Sequence, residues 1–213
     1  MDEETRELLN GIFVYAEILN HTNRMFQELI NQNTEKQLNE NERLFYEISS
    51  EIMRLIPIKK VRGVEGVLRI DTESGILLLK DDIPFLLEDY NRIIQNEKYV
   101  KILLDMSKIR NKFIHEPHNI QAGFYVGGKT SCSMGLSYKN ELCSISTITI
   151  TYIIYELNLI FEKLKELFLK KADECGDRYK EYPCYQTMGT YNFKKYNDDY
   201  PMLPLCYLET CDE

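Results

Sequence analysis

The sequence predicts a mainly α-helical protein, an up-and-down four-helix bundle with two short β-hairpin insertions and an irregular C-terminal tail. Four long segments place apolar residues at three- and four-residue steps, which is the period of an amphipathic helix. Two glycine-containing stretches with alternating polarity lie between these segments and favour hairpins. We therefore expect a bundle domain at residues 1–171 and a tail at residues 172–213, either packed on the core or partly disordered.

The first two helices are predicted to form an antiparallel pair. Residues 3–32 carry an apolar stripe from Leu8 to Ile30, and polar asparagines follow it. A second stripe covers residues 39–56, and Pro57 stops it because proline disfavours helical geometry in the residue before it. A short connection between two such helices makes them antiparallel neighbours.

Two hairpins are predicted between the helices. The first lies within residues 61–80, where aliphatic residues alternate with glycines, and it should turn near Asp71–Gly75. The second lies within residues 131–146, where apolar and small polar residues alternate. The fourth long helix follows over residues 147–171, and its β-branched first turn leaves its starting point open.

The third helix is predicted to extend from Asp82 to about His115. Asp82 stands shortly before Pro84, and this combines a capping residue with a proline of the first turn. Asn96 is a candidate break inside the helix. The helix should end near His115 because Pro117 disfavours helical geometry in the residue before it.

Charge and hydropathy exclude several classes of protein. No apolar run approaches the ~18 residues that a membrane span requires, and the acidic first residues, Met1–Glu4, differ from the basic start of a signal peptide. We therefore expect a cytoplasmic protein with no membrane partner. A formal net charge of −8 argues against non-specific coating of nucleic acid, and no DNA is expected as a partner. Residues 98–112 differ locally, because they contain five cationic side chains and one carboxylate.

The six cysteines do not indicate a functional site. None forms a C-x-x-C pair and no secretory signal accompanies them, so reduced thiols are the first expectation. Pairing of Cys132 with Cys143 across the second hairpin is the preferred alternative. A zinc site is disfavoured because the spacings of its candidate ligands match no compact metal-binding pattern. Those candidates are Cys175, Cys184, Cys206 and Cys211.

The end of the third helix contains the string Arg110-Asn111-Lys112-Phe113-Ile114-His115. An arginine followed at once by Asn, Asp or His, with a histidine four to six residues beyond the arginine, is expected by chance only about 0.05 times in a chain of this composition. The string resembles the active-site motif of HEPN-domain ribonucleases, in the form common in bacterial toxin and abortive-infection proteins.

The resemblance implies a HEPN-like bundle and a metal-independent endoribonuclease, a toxin or phage-defence effector that cleaves RNA to a 2′,3′-cyclic phosphate. It implies no cofactor and no metal. Six residues receive roles on this ground: Arg110, Asn111 and His115 as catalytic residues, and Lys108, Lys112 and His118 as RNA-binding residues. HEPN ribonucleases are understood to work as homodimers, and a cognate antitoxin or a nucleotidyltransferase is a further candidate partner.

The chemistry of RNA cleavage gives a separate reason to consider these residue types together. Cleavage without metal needs a base for the ribose 2′-hydroxyl, a cation for the charge that develops at phosphorus, and an acid for the departing 5′-oxygen. Arg110 suits the phosphate oxygens and His115 titrates near neutral pH. One such histidine per chain leaves either the base or the acid unfilled, and a two-fold pair of chains would supply both.

Helical geometry complicates this hypothesis and leaves alternatives open. Positions 110 and 115 lie roughly 140° apart around a helix, so Arg110 must curl around the helix, or His115 must already have left it. Both side chains could instead only cap the helix end, where cations bind free carbonyls. A non-catalytic HEPN module that binds a nucleotide or a protein, and an antitoxin or adaptor subunit, are the competing functions.

Overall fold

The computed structural model describes residues 2–31, 38–73, 75, 83–115, 122–127, 131–138 and 141–176. Within these residues the protein is mainly helical, with five helices and two small antiparallel sheets. The helices are α1 (Glu3–Asn31), α2 (Leu38–Leu55), α3 (Pro84–Gln95), α4 (Glu97–His115) and α5 (Thr147–Cys175). The strands are β1 (Ile58–Lys60), β2 (Leu68–Ile70), β3 (Ala122–Gly127), β4 (Ser131–Tyr138) and β5 (Glu141–Ser146).

One hydrophobic core joins all five helices. α1 contacts α2 and α5, and α2 also contacts α4. The largest fully buried side chains belong to α1, α2, α3 and α5, and they are Tyr15, Phe26, Phe45, Tyr90 and Phe161. The amphipathic periodicity placed α1 and α2 to within one residue at each end, because burial of one stripe decides where such helices form. None of the described helices is long and apolar enough to cross a membrane.

The predicted third helix is two helices that meet at Asn96. The backbone of Asn96 is extended, with φ −86° and ψ 115°, so α3 ends there. Its side-chain oxygen accepts a hydrogen bond from the backbone N–H of Lys98 at 3.0 Å and thereby caps the start of α4. The candidate break is therefore confirmed. The predicted start needs correction, since the residue before α3 is Ile83 with Pro84 in the first turn, and Asp82 lies outside the described residues.

β1 and β2 form a hairpin that the sequence analysis did not predict, and it precedes the predicted turn. β1 pairs with β2 in a register that places Ile58 opposite Ile70, and residues 61–67 form the connection. Gly63 and Gly66 have φ values of 77° and 74°, so these glycines form the turn rather than a strand. The predicted turn near Asp71–Gly75 follows β2, where residues 72 and 73 form a turn and the Asp71 Oδ1 accepts a hydrogen bond from the Glu73 N–H at 3.4 Å. The predicted return strand beyond residue 75 lies outside the described residues, so that hairpin stays a prediction.

The second hairpin is confirmed as β4 and β5, and β3 extends it to a three-stranded antiparallel sheet. Cys143 lies opposite Leu136, and it is buried and forms no disulfide. Cys132 lies four residues before Leu136 on β4, which is a separation of about 13 Å along the strand at ~3.3 Å per residue. The predicted Cys132–Cys143 pairing is therefore wrong.

α5 begins at a capping box. The Ser146 side chain accepts a hydrogen bond from the Thr149 N–H at 3.1 Å, and the Thr149 hydroxyl accepts one from the Ser146 N–H at 3.0 Å. These bonds fix the starting point that the β-branched sequence left open. The helix continues to Cys175, beyond the predicted end at residue 171. Residues 177–213 lie outside the described part, so the tail and the domain boundary stay predictions.

Candidate functional site

The motif helix α4 is anchored by buried apolar side chains. Leu103, Met106 and Ile109 are fully buried and follow the core-facing side of the helix. Arg110 comes one residue after Ile109, at the edge of this buried side, and its side chain is half-buried. Packing of α4 against α2 therefore determines which neighbours Arg110 can reach.

Arg110 lines a groove of about 450 Å³ between the C-terminal end of α2, strand β1 and α4. The other lining residues are Met53, Arg54, Pro57, Ile58, Lys59, Asp71 and Gly75. Within the part of the chain that the structure describes, the Arg110 guanidinium has no hydrogen bond and no ion pair. A half-buried guanidinium without a partner keeps five donors available to a planar anion such as a phosphate or a carboxylate.

The other charged residues of this groove are already paired. The Lys59 Nζ lies 2.6 Å from the Asp71 Oδ2, and Asp71 is almost fully buried. The Arg54 Nη1 lies 2.8 Å from an oxygen of Glu51, one turn earlier on α2. The groove therefore carries three cationic side chains against the single carboxylate of Asp71 among its lining residues.

The structure does not bring all the predicted site residues together. Asn111 is exposed on α4. Lys108 lines a different groove of about 580 Å³ beside Lys101 and Asp105, where α4 faces β5. The side chains of Lys112 and His115, and the whole of His118, lie outside the described residues.

α4 remains helical to His115, so His115 has not left the helix. Positions 110 and 115 are therefore about 140° apart around the axis and ~7.5 Å apart along it. Of the two arrangements that the sequence allowed, only a side chain curling around α4 remains for a site within one chain. A second chain is the other way to bring an arginine and a histidine together.

A polar network fixes α4 against its neighbours. On α3, the Arg92 Nη2 lies 2.7 Å from the Glu156 Oε2 of α5, and the Tyr99 hydroxyl of α4 donates to the other Glu156 oxygen at 3.0 Å. Asp89 of α3 is paired with the Lys163 Nζ of α5 at 2.6 Å. Burial, together with the Glu156 carboxylate, raises the pKa of Tyr99 to about 12. The pairing with Glu156 raises the pKa of Arg92.

Sequence analysis missed Arg54, Lys59 and Asp71 as neighbours of Arg110. They are distant from it in sequence, and no local spacing connects them. Among the described residues there is no cluster of three His, Cys, Asp or Glu side chains that could hold a metal ion. Comparison of the chain with protein-family models, curated proteins and solved structures finds no match.

Proposed function

We propose that this chain is a metal-independent endoribonuclease of the HEPN type, acting as a toxin or phage-defence effector. The observation that carries the proposal is the half-buried Arg110 of the motif, which lines a groove and has no hydrogen bond or ion pair among the described residues. Partial burial of a cation that no described residue pairs with costs solvation energy, and an anionic ligand would offset that cost. The phosphodiester of RNA is an anion of that kind.

The helix arrangement is compatible with the four-helix bundle of that family. α1, α2, α4 and α5 have 29, 18, 19 and 29 residues, whereas α3 has only 12. In the proposed bundle the four long helices are the principal ones, and α3 is a short helix that leads into the motif helix. The two sheets are insertions.

In the proposed reaction a His115 imidazole takes the proton of a ribose 2′-hydroxyl, and the 2′-oxygen attacks the adjacent phosphorus. The bond from phosphorus to the 5′-oxygen breaks, and a second imidazole in its protonated form donates the proton to that oxygen. Arg110 stabilises the charge on the non-bridging oxygens. The products are a 2′,3′-cyclic phosphate and a free 5′-hydroxyl.

The proposal requires a homodimer, because each chain supplies a single motif histidine and because positions 110 and 115 are about 140° apart around α4. Two-fold pairing places equivalent surfaces of two chains against each other. A guanidinium from one chain and an imidazole from its partner would then flank one phosphodiester. Analytical ultracentrifugation should give twice the mass of the chain, and a monomer at assay concentration would contradict this part of the proposal.

Cleavage of end-labelled RNA in the presence of EDTA tests the activity. Wild-type protein should release fragments with 2′,3′-cyclic ends, and Arg110→Ala and His115→Ala should each lower the rate by at least about a hundredfold. Arg43→Ala is the matched control, because Arg43 is an exposed arginine of α2 that does not line the groove. Equal rates in wild type and both motif variants would reject the site.

Mixing the two motif variants tests whether the site is shared. If both chains contribute to one cleft, mixed dimers of Arg110→Ala and His115→Ala contain one intact arginine and one intact histidine. Cleavage should then exceed that of either variant alone. Activity no greater than the sum of the separate variants would show that each chain acts alone.

A non-catalytic module that binds a nucleotide is the second candidate. The 140° separation of positions 110 and 115 on an unbroken α4 favours it, because the position of the motif histidine is then on a different side of the helix from Arg110. This candidate predicts saturable nucleotide binding that Arg110→Ala abolishes, with no RNA cleavage by wild-type protein.

A further inference from the structure

The groove beside Arg110 is formed by three separate elements, each of which contributes a cation. Arg54 comes from the last turn of α2, Lys59 from β1 and Arg110 from α4. The volume of about 450 Å³ lies in the range of small-ligand sites, which is ~300–1,000 Å³. Its lining therefore combines an accessible concavity with a positive local charge in a protein whose formal net charge is −8.

The local charges favour an anion over a neutral ligand. Asp71 is the one carboxylate among the lining residues, and Lys59 neutralises it at 2.6 Å. Arg54 is paired with Glu51, which is not among the lining residues, so Arg110 is the lining cation that no described carboxylate neutralises. The C-terminal end of α2 adds partial negative charge. However, the Tyr90 hydroxyl donates to the Leu55 carbonyl at 2.7 Å and so satisfies one of the terminal oxygens.

We propose that this groove binds the backbone of single-stranded RNA, with Arg110 on one phosphate and with Arg54 and Lys59 on the next. The inference rests on the proposed function for the identity of the ligand, and it adds Arg54 and Lys59 as binding residues. A duplex is disfavoured because double-stranded RNA is gripped over a much longer surface, ~16 base pairs in dedicated domains. Asp71 weakens RNA binding, because its pairing with Lys59 reduces the positive charge available to the RNA.

The test is equilibrium binding of a short, fluorescein-labelled 2′-O-methyl oligouridylate, followed by anisotropy over a range of salt concentrations. The 2′-O-methyl groups prevent cleavage, so binding is measured apart from catalysis. Arg54→Gln is compared with Arg43→Gln. Both are exposed arginines of α2 in an ion pair with a glutamate one turn away, but only Arg54 lines the groove.

Loss of one phosphate contact to a single strand should lower the slope of log K against log salt by about 0.7, which corresponds to about fivefold weaker binding at 0.1 M salt. Arg54→Gln should show this change, whereas Arg43→Gln should leave the slope unaltered. Equal slopes for the two variants would overturn the assignment of Arg54.

The β1–β2 hairpin and the residue that follows it provide a second comparison, in which one substitution should weaken RNA binding and another should strengthen it. Lys59→Gln should weaken binding more than Lys60→Gln, because the neighbouring Lys60 does not line the groove. Asp71→Asn should tighten binding several-fold by releasing Lys59, an effect that partial unfolding cannot produce. Unchanged or weaker binding by a folded Asp71→Asn protein would contradict the proposed effect of Asp71 on RNA binding.

Competition identifies the ligand class and separates the two proposals. An unlabelled oligouridylate should displace the probe far better than AMP or inorganic phosphate, and equally strong displacement by AMP would show that the groove holds one nucleotide only. Binding with the expected slopes but no cleavage in EDTA would refute the ribonuclease and retain the groove. If Arg54→Gln cleaves RNA with full activity and binds the probe as wild type does, the groove assignment is refuted and the ribonuclease is retained.

Discussion

Replacing Arg92 with methionine should lower the free energy of unfolding by about 2 kcal/mol, because the substitution leaves a buried carboxylate without its cation. Glu156 is 5% exposed, and the Arg92 guanidinium reaches it at 2.7 Å from a side chain that is 51% exposed. Methionine retains much of the aliphatic contact of the arginine, so the measured loss reports mainly on the charge.

The magnitude follows from the unequal burial of the two partners. Removing one member of a fully buried pair costs ~3–5 kcal/mol, whereas an exposed pair contributes ~0–1 kcal/mol. Glu156 keeps the hydrogen bond from the Tyr99 hydroxyl at 3.0 Å, and the exposure of Arg92 admits water to the other oxygen. These effects place the expected loss at about 2 kcal/mol, or about 4–8 °C in Tm for a chain of this size.

Urea denaturation followed by circular dichroism measures this loss. Arg43→Met is the matched control, because Arg43 and Glu47 form a more exposed pair at 3.3 Å, with an expected loss of at most about 0.5 kcal/mol. Adding Glu156→Gln to Arg92→Met should recover part of the stability, since an uncharged amide needs no counter-ion. Equal losses for Arg92→Met and Arg43→Met would refute the reasoning.

Three further predictions concern packing, capping and pH. Leu103→Ala should cost ~2–5 kcal/mol because Leu103 is fully buried on α4, whereas Leu142→Ala, at an exposed site, should change the free energy of unfolding by less than about 0.5 kcal/mol. Ser146→Ala should cost about 1 kcal/mol by removing the cap of α5, with exposed Ser144→Ala as control, and equal effects would contradict the capping role. The raised pKa of Tyr99, about 12 in the folded protein against an ordinary value of ~10, means that its contribution is complete below pH ~10 and is lost as pH rises towards 12. Two pKa units correspond to ~2.7 kcal/mol, and solvent screening of the partly exposed ring reduces this to about 1 kcal/mol. Urea titrations at increasing pH should therefore show a smaller loss of unfolding free energy in Tyr99→Phe than in wild type.

Helices with a continuous buried stripe were predictable from sequence, and the turns were less so. The period of α1, α2 and α5 is set by burial, which the order of apolar residues records directly. The turn between β1 and β2 was missed because Gly63 and Gly66 stand in an aliphatic stretch that resembles a strand, and only their positive φ values identify them as turn residues.

Strand β3 and the groove illustrate the limit of local patterns. β3 is a short strand with glycines near both ends, at Gly123 and Gly127, and it is stabilised by pairing with β4. Its own residues do not reveal this pairing, so the sequence pattern did not predict the strand. The motif placed Arg110 correctly near the end of a helix. Arg54, Lys59 and Asp71 line the same groove as Arg110 only in the folded chain, where α2 packs on α4, so tertiary structure was needed to find them.

The most direct measurement is the cleavage of single-stranded RNA by purified protein in excess EDTA, with the chemistry of the new ends read by mass spectrometry. Our account predicts fragments that end in a 2′,3′-cyclic phosphate, formed by wild-type protein and by Arg43→Ala but not by Arg110→Ala or His115→Ala. Intact RNA after prolonged incubation with wild-type protein, or the same fragments from the two motif variants, would contradict it.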